Sequence, residues 1–130
     1  MVDTLRYLDW INNAERDLNA ATILLEHECG NDMVAFHCQQ CVEKSLKSYL
    51  IANEKGIIST HSLIYLCRLC ETFDPSFKKY IKDCGFLNQY YIETRYPADD
   101  PIIIGDYEIQ ECLKISSEIF KHVLNLLKNF

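Results

Sequence analysis

The residues best suited to chemistry form one short stretch, Asn88 to Pro97, which reads NQYYIETRYP. Proline lacks an amide proton and disfavours the α region for the residue before it, so the pattern predicts a helix that ends at Tyr96. Arg95 then lies in the last helical turn, where a cation stabilises the negative end of the helix dipole. Its planar group of five N–H donors, surrounded by tyrosine rings, also suits phosphate oxygens and base faces.

A second set of polar residues lies on a helix predicted from Asp32 to Asn53. Gln40, Lys44 and Lys47 recur at i, i+4 and i+7, so one face of this helix presents amide and ammonium donors together. This face is either a solvated surface, with a Glu43–Lys47 pair worth a few tenths of a kcal/mol, or one side of a polar binding cleft. The sequence pattern leaves both interpretations open.

Other candidate chemistries are weaker. His61 lies near the start of a short predicted helix, and no nucleophile or set of metal ligands is close to it in sequence, so it is interpreted as a local packing or hydrogen-bonding residue. Asp99 and Asp100 fall in a turn-rich segment and are interpreted as solvated. The sequence contains no glycine-rich phosphate loop, no HExxH and no Gly-x-Ser-x-Gly motif.

Two Cys-x-x-Cys pairs, Cys38 with Cys41 and Cys67 with Cys70, are spaced like the halves of a four-thiolate zinc site. Both pairs lie within helical apolar periodicity and lack the glycine-rich turns that fold backbone around thiolates. The sequence therefore predicts that these thiols pack as small apolar side chains, with no metal and no cofactor. Seven cysteines, an odd number, without an export signal also predict reduced thiols.

The segments that hold these residues have helical periodicity. Apolar residues spaced three and four apart predict a first helix with a seam from Leu8 to Leu25 and a last helix from a cap at Asp106 to Phe130. Between them, Ser59 or Thr60 is predicted to cap a third helix that ends near Thr72, and Asp74-Pro75 to start the fourth. The predicted fold is all-α, an up-and-down antiparallel bundle of about five helices in one domain, residues 1–130.

Composition limits the classes of function. The 130-residue chain has no apolar run long enough for a membrane span and no signal peptide, so a cytoplasmic protein is expected. Its net charge of −6 opposes non-specific nucleic-acid binding, which depends on positive charge. Contact with a nucleotide or RNA would therefore need a local patch or a basic partner.

Three segments together resemble the HEPN domain family: AFHCQQCVEKSLKSYL at 35–50, THSL at 60–63 and LNQYYIETRYPADD at 87–100. The resemblance extends over nearly the whole chain, with the segments in the expected order and spacing. It implies a five-helix bundle that forms homodimers. It also implies a partner, since many small members of the family resemble proteins that work with a minimal nucleotidyltransferase subunit. Related domains in larger proteins bind nucleotides.

Another branch of the family consists of metal-independent ribonucleases, often toxins of toxin–antitoxin pairs, with a histidine four to six residues after an arginine. Starting from Arg95, that histidine would occupy position 100, 101 or 102, but these positions hold Asp100, Pro101 and Ile102. Proline and isoleucine cannot transfer a proton, and an exposed aspartate is a poor acid. The resemblance to this branch is therefore incomplete.

The sequence thus favours an accessory HEPN protein that binds a nucleotide or phosphate and has a nucleotidyltransferase partner. The residues predicted to form the binding site are Gln40, Lys44, Lys47, Tyr91, Arg95 and Tyr96. The alternatives are a ribonuclease toxin, in which Arg95 would be catalytic, and a helical adaptor without a ligand.

Overall fold

The computed structural model describes residues 6–93 and 103–130, with Ile92 and Glu93 described in their backbone only. These ranges contain helices and no strand. The α-helices are α1 (Tyr7–Glu26), α2 (Asn31–Ala52), α3 (Leu63–Phe73), α4 (Ile81–Asn88), α5 (Tyr90–Glu93) and α6 (Asp106–Leu127), and a 3-10 helix spans Pro75–Tyr80. The predicted all-α helical bundle is confirmed.

Helix α2 is central and packs against α1, α3, α4, α5 and α6. Small side chains allow this close packing: Ala35 and Cys38 of α2 and Ala14 of α1 are completely buried. Ser116 of α6 lies with its hydroxyl 3.1 Å from the carbonyl oxygen of Cys38, which links α6 directly to α2. Because neighbours surround α2 on most sides, polar residues along it enter the interior of the protein.

The predicted fourth helix is not continuous. Asp74 caps its start as expected, accepting a hydrogen bond of 2.9 Å from the Ser76 amide, and Pro75 follows in the first turn. The next turns are 3-10 up to Tyr80, and α4 and α5 then follow with Gln89 between them. Three residues per turn place Phe77 and Tyr80 on the same face, and both are buried. The tighter 3-10 winding thus allows both rings to pack in the core.

Two predicted caps are wrong. Helix α3 begins later than expected, since Ser62, rather than Ser59 or Thr60, accepts the capping hydrogen bond, from the Tyr65 amide. At the start of α6, Asp106 is already helical and Gly105 occupies the N-cap. The last helix also ends at Leu127, so Phe130 lies beyond it and is exposed.

All seven cysteines are free thiols, and all except Cys29 are buried. Both cysteines of each Cys-x-x-Cys pair lie within a helix, and none of these cysteines has exposed surface, as predicted for thiols that pack in the core. Burial raises the pKa of Cys38 to about 12, and it does the same for Cys112. These thiols are therefore protonated at neutral pH and poorly nucleophilic. No helix in the described ranges has the length and apolar character needed to cross a bilayer.

Candidate functional site

The predicted polar face of α2 is not a solvated surface, because Lys47 is buried and Gln40 and Lys44 are partly buried. Gln39, Glu43 and Lys47 are all buried. The Glu43–Lys47 pair spans 3.1 Å from Nζ to Oε2, and the two side chains are only 6% and 7% exposed. This pair differs from the solvated surface pair that the sequence also allowed, because both of its charges are buried.

Hydrogen bonds extend this pair into a buried polar network formed by Gln39, Gln40, Glu43 and Lys47. The Gln40 amide donates to Gln39 Oε1 over 2.7 Å, and the Gln39 amide lies 3.4 Å from Glu43 Oε1. Lys47 Nζ lies 5.8 Å from the centre of the Trp10 ring, so α1 covers the cation with an aromatic face. The network fixes the Glu43 carboxylate from several sides.

His61 completes the network at the surface. Its Nδ1 lies 3.1 Å from Glu43 Oε1, and its side chain is 58% exposed. A carboxylate only accepts hydrogen bonds, so Nδ1 carries the proton and Nε2 keeps its lone pair. In the part of the chain that the structure describes, Nε2 has no hydrogen-bond partner. One ring nitrogen of His61 is thus held from inside the protein, and the ring itself is mostly exposed.

Tyr91 of α5 stacks on His61, with ring centroids 4.5 Å apart and an angle of 19° between the planes. We call His61 and Tyr91 the ring pair. Tyr91 is a predicted site residue, whereas His61 was interpreted as a local packing or hydrogen-bonding residue. The sequence alone did not predict contact between these two rings, because His61 and Tyr91 lie far apart along the chain.

The loop before α3 brings His61 to this position. Gly56 has a positive φ of 86°, a conformation that side chains disfavour, and helps the chain turn after α2. Thr60 Oγ1 accepts from the Ser62 amide, and the Leu63 amide donates to Asn88 Oδ1 over 2.7 Å. Asn88 opens the Asn88 to Pro97 stretch, so that stretch is joined to the His61 loop both by this hydrogen bond and by the ring pair.

Lys44 has a different role from Lys47. Its Nζ lies 2.7 Å from Asp17 Oδ2 of α1, and His37 Nδ1 lies 2.9 Å from the other oxygen of the same carboxylate. Asp17 itself is buried. The structure therefore separates the predicted donors, since Lys44 joins α2 to α1 and Lys47 belongs to the buried polar network.

Arg95 and Tyr96, the predicted end of the fourth helix, lie outside the described residues, as do Asp99 and Asp100. In the sequence Arg95 follows Tyr91 by four positions. Among the described residues, no three or more histidine, cysteine, aspartate or glutamate side chains are grouped to hold a metal ion. The described part of the site offers an accessible imidazole, an aromatic ring and a buried carboxylate, a combination suited to stacking, hydrogen bonding and proton transfer.

Comparison with known families matches the chain to the HEPN domain over residues 7–126. A protein of Methanocaldococcus jannaschii named "Putative toxin MJ1304" is 28% identical over 134 residues, which cover 92% of this chain and 86% of that protein.

Two crystal structures have a similar fold. TT1696 from Thermus thermophilus has a TM-score of 0.75 and 26% identity, over 92% of this chain and 97% of that one. ST0689, described as an archaeal HEPN homologue, has a TM-score of 0.71 and 26% identity, over 93% of this chain and 97% of that one. The similarity in sequence and fold thus extends over nearly the whole chain.

Proposed function

This chain belongs to the HEPN family, and on that basis we propose that it binds a nucleotide, or a short segment of RNA, at the ring pair of His61 and Tyr91. The observation that carries the proposal is the stacked geometry of two rings at the surface, one of them 58% exposed and both joined to the Asn88 to Pro97 stretch. Stacking of a base on an aromatic side chain contributes about 1–3 kcal/mol.

In this proposal Arg95 supplies the positive charge and binds phosphate, and Tyr96 adds a ring or hydroxyl. The described lysines of the predicted site support that assignment, because both already have anionic partners: Lys44 pairs with Asp17 and Lys47 with Glu43. Gln40 and Lys47 would then contribute by holding Glu43 and His61 in place. Lys44, which is partly exposed, would add a weaker attraction for phosphate.

We further propose that the protein acts in the cytoplasm as a homodimer and associates with a minimal nucleotidyltransferase subunit. Support for this part comes from family membership and from the resemblance of the sequence to small members with such partners. Co-expression with a nucleotidyltransferase encoded beside this chain, followed by co-purification, tests the association. Recovery of the two proteins separately would count against it.

Titration of fluorescent ATP, GTP and a short single-stranded RNA against native protein and Arg95→Ala tests the binding site. Removal of a charge-assisted hydrogen bond costs about 1.5–3 kcal/mol, so we expect affinity to fall roughly 10-fold to 150-fold. Arg68→Ala, which changes an exposed arginine of α3, serves as the control and should bind like the native protein. Equal affinity of native protein and Arg95→Ala would remove Arg95 from the site.

A ribonuclease toxin is the second candidate. It is favoured by the similarity to a protein named as a toxin, which covers 92% of this chain. The sequence lacks the histidine expected after Arg95, so this candidate needs another group to transfer a proton.

A further inference from the structure

We propose that Ser76 and His122 form a nucleophilic serine site that hydrolyses carboxylic esters, at the opposite end of α3 from the ring pair. Ser76 lies in the first turn of the 3-10 helix that follows α3, and His122 lies on α6. The Ser76 hydroxyl oxygen is 2.7 Å from His122 Nε2, a short hydrogen bond between residues 46 positions apart in the sequence. Both residues are partly exposed, so a small molecule can reach them.

Both side chains are held in place by their neighbours. The Ser76 amide donates to Asp74 Oδ1 over 2.9 Å, which fixes the backbone that carries the hydroxyl. The His122 ring makes edge contacts with the Phe77 ring at 5.0 Å and the Tyr80 ring at 5.2 Å, and both of these rings are buried. A nucleophile and a base held in a fixed geometry lose little orientational freedom in the transition state.

His122 is the stronger of two bases that reach the Ser76 hydroxyl. Burial lowers the pKa of His122 below its ordinary value of 6.5, the Lys79 ammonium lowers it further, and Asp74 offsets part of the effect. The imidazole is therefore largely neutral at neutral pH and, with its proton on Nδ1, accepts through Nε2. Hydrogen bonds from the Ser76 hydroxyl and amide lower the pKa of Asp74 below 3.8. The proton of the reacting hydroxyl therefore passes to His122.

Other hydroxyls of the described chain have a different kind of partner. Ser45, Ser48 and Thr72 donate to backbone carbonyl oxygens. A carbonyl oxygen orients a hydroxyl but does not remove its proton at neutral pH. Among the serine and threonine hydroxyls in the ranges that the structure describes, that of Ser76 is the one bonded to an imidazole. The pair therefore has the arrangement of a nucleophile with its general base.

The reaction follows from this arrangement. Ser76 Oγ bonds to the carbonyl carbon of the ester while His122 Nε2 takes the hydroxyl proton, and the ester C–O bond then breaks as the leaving oxygen takes that proton. Water next bonds to the acyl carbon and gives a proton to His122. The bond between Ser76 and the acyl group breaks, and the proton returns to Ser76. The products are a carboxylic acid and an alcohol, with no change in oxidation state.

The positive charge near the pair limits the class of substrate. Attack on a carbonyl creates a negative oxygen, and Lys79, whose charge acts on His122, is the cation placed to stabilise it. Its Nζ lies 5.1 Å from the centre of the Tyr80 ring, and the residue is exposed. An exposed cation stabilises such an oxygen less than enclosed hydrogen-bond donors do. We therefore expect hydrolysis of esters with good leaving groups, such as phenols, and none of amides.

The test combines covalent labelling with ester turnover on the full chain. A fluorophosphonate bonds to an activated serine hydroxyl with loss of fluoride, so mass spectrometry of the intact protein gives the rate of labelling, and mass spectrometry of its peptides gives the position. Native protein should take up one phosphonyl group, on Ser76. It should also hydrolyse p-nitrophenyl butyrate, while the p-nitroanilide of butyric acid should remain intact.

Matched variants assign the roles of the two residues. Ser76→Ala should lose both the labelling and the turnover. His122→Gln should be labelled about 100-fold to 10,000-fold more slowly, the usual contribution of a general base. Ser59→Ala and His27→Gln, which change an exposed serine and an exposed histidine, should react like the native protein. Circular dichroism checks that each variant is folded, and the position of the label on native protein does not depend on any variant.

Lys79→Met should slow both reactions by less than His122→Gln does, whereas Lys78→Met, which changes the exposed neighbouring lysine, should leave both rates unchanged. Native protein that is not labelled, or is labelled at another residue, overturns the proposal. Equal labelling rates of native protein and His122→Gln overturn the role of the base. Labelling of Ser76 without hydrolysis of p-nitrophenyl butyrate overturns the proposed catalysis.

Discussion

Single residues explain why α2 carries charges inside the protein. Glu43 and Lys47 lie one helical turn apart, and each compensates the other where water is excluded. Burial of two charges costs several kcal/mol per ion, so the pair contributes little net stability. The pair instead serves to orient His61, because the fixed Glu43 carboxylate determines which nitrogen of His61 carries the proton.

Lys47→Met tests the energetics of the pair. The change leaves Glu43 buried without its cation, and removal of one partner of a buried pair costs about 3–5 kcal/mol, so unfolding in urea should reveal a loss of that size. The double variant Glu43→Leu with Lys47→Met should be roughly as stable as the native protein. Lys82→Met, at an exposed position of α4, should change the free energy of unfolding by less than about 0.5 kcal/mol. A double variant less stable than Lys47→Met would contradict this account.

Asp83 is a second charged residue that destabilises the folded state at neutral pH. Burial raises the pKa of the Asp83 carboxyl above its ordinary value of 3.8, and Glu118 and Glu111 of α6 raise it further, while Lys114 offsets part of the effect. A raised pKa means that the folded state binds the proton more tightly, so stability falls as pH rises from 3.8 through the raised value.

Asp83→Asn should therefore be more stable than the native protein at pH 7. Below pH 3.8 the two should be equally stable, because the aspartate is then protonated in both the folded and unfolded states. Thermal unfolding of both proteins between about pH 3 and pH 8 measures the difference. Asp9→Asn, in the first turn of α1, is the control and should be slightly destabilising, since Asp9 stabilises the helix dipole. A stabilisation by Asp83→Asn that does not depend on pH would contradict the assignment.

At the scale of elements, three segments assemble the site. Helix α2 supplies the buried polar network, the loop before α3 supplies His61, and α5 supplies Tyr91. The loop has little secondary structure of its own, so its position depends on contacts at its ends. The hydrogen bond from the Leu63 amide to Asn88 Oδ1 joins the start of α3 to the end of α4. It also keeps the two members of the ring pair on neighbouring segments.

Asn88→Ala removes that connection. Loss of a partly buried hydrogen bond to a helix start should cost about 1–2 kcal/mol in the free energy of unfolding. Hydrogen exchange of the Leu63 amide should accelerate, and nucleotide affinity should fall as the ring pair loosens. Gln89→Ala, next in sequence and exposed, is the matched control and should leave both unchanged. Unchanged Leu63 exchange in Asn88→Ala would show that the loop is held by other contacts.

At the scale of the whole molecule, local patterns predicted the bundle but did not predict that His61 and Tyr91 are in contact. The seam positions Ile11 and Ala14 of α1 and Ile109 and Ile119 of α6 are buried as expected, because helical periodicity follows burial. Leu8, the predicted start of the first seam, is exposed instead. The burial of Glu43 and Lys47 was not predicted, because a polar stripe on a helix usually faces solvent. In this fold α2 has neighbours on most sides, and that arrangement is a property of the complete bundle.

The contacts of His61 were not predicted for a related reason. Its partners lie far from it along the chain, Glu43 on α2 before it and Tyr91 on α5 after it. No local pattern joins these three residues, and only the fold brings them together. The role predicted for Arg95 rests on sequence and family alone, since the residue lies outside the described ranges.

Nuclear magnetic resonance of the histidine side chains tests the central claim most directly, since all four histidines lie in the described ranges. Protein labelled with nitrogen-15 at histidine is titrated with GTP and, separately, with short single-stranded RNA. Binding at the ring pair predicts that the His61 imidazole resonances shift in proportion to occupancy while those of His27 remain in place. Saturable binding of either ligand with unchanged His61 resonances would show that the ligand binds elsewhere and would contradict the proposed site.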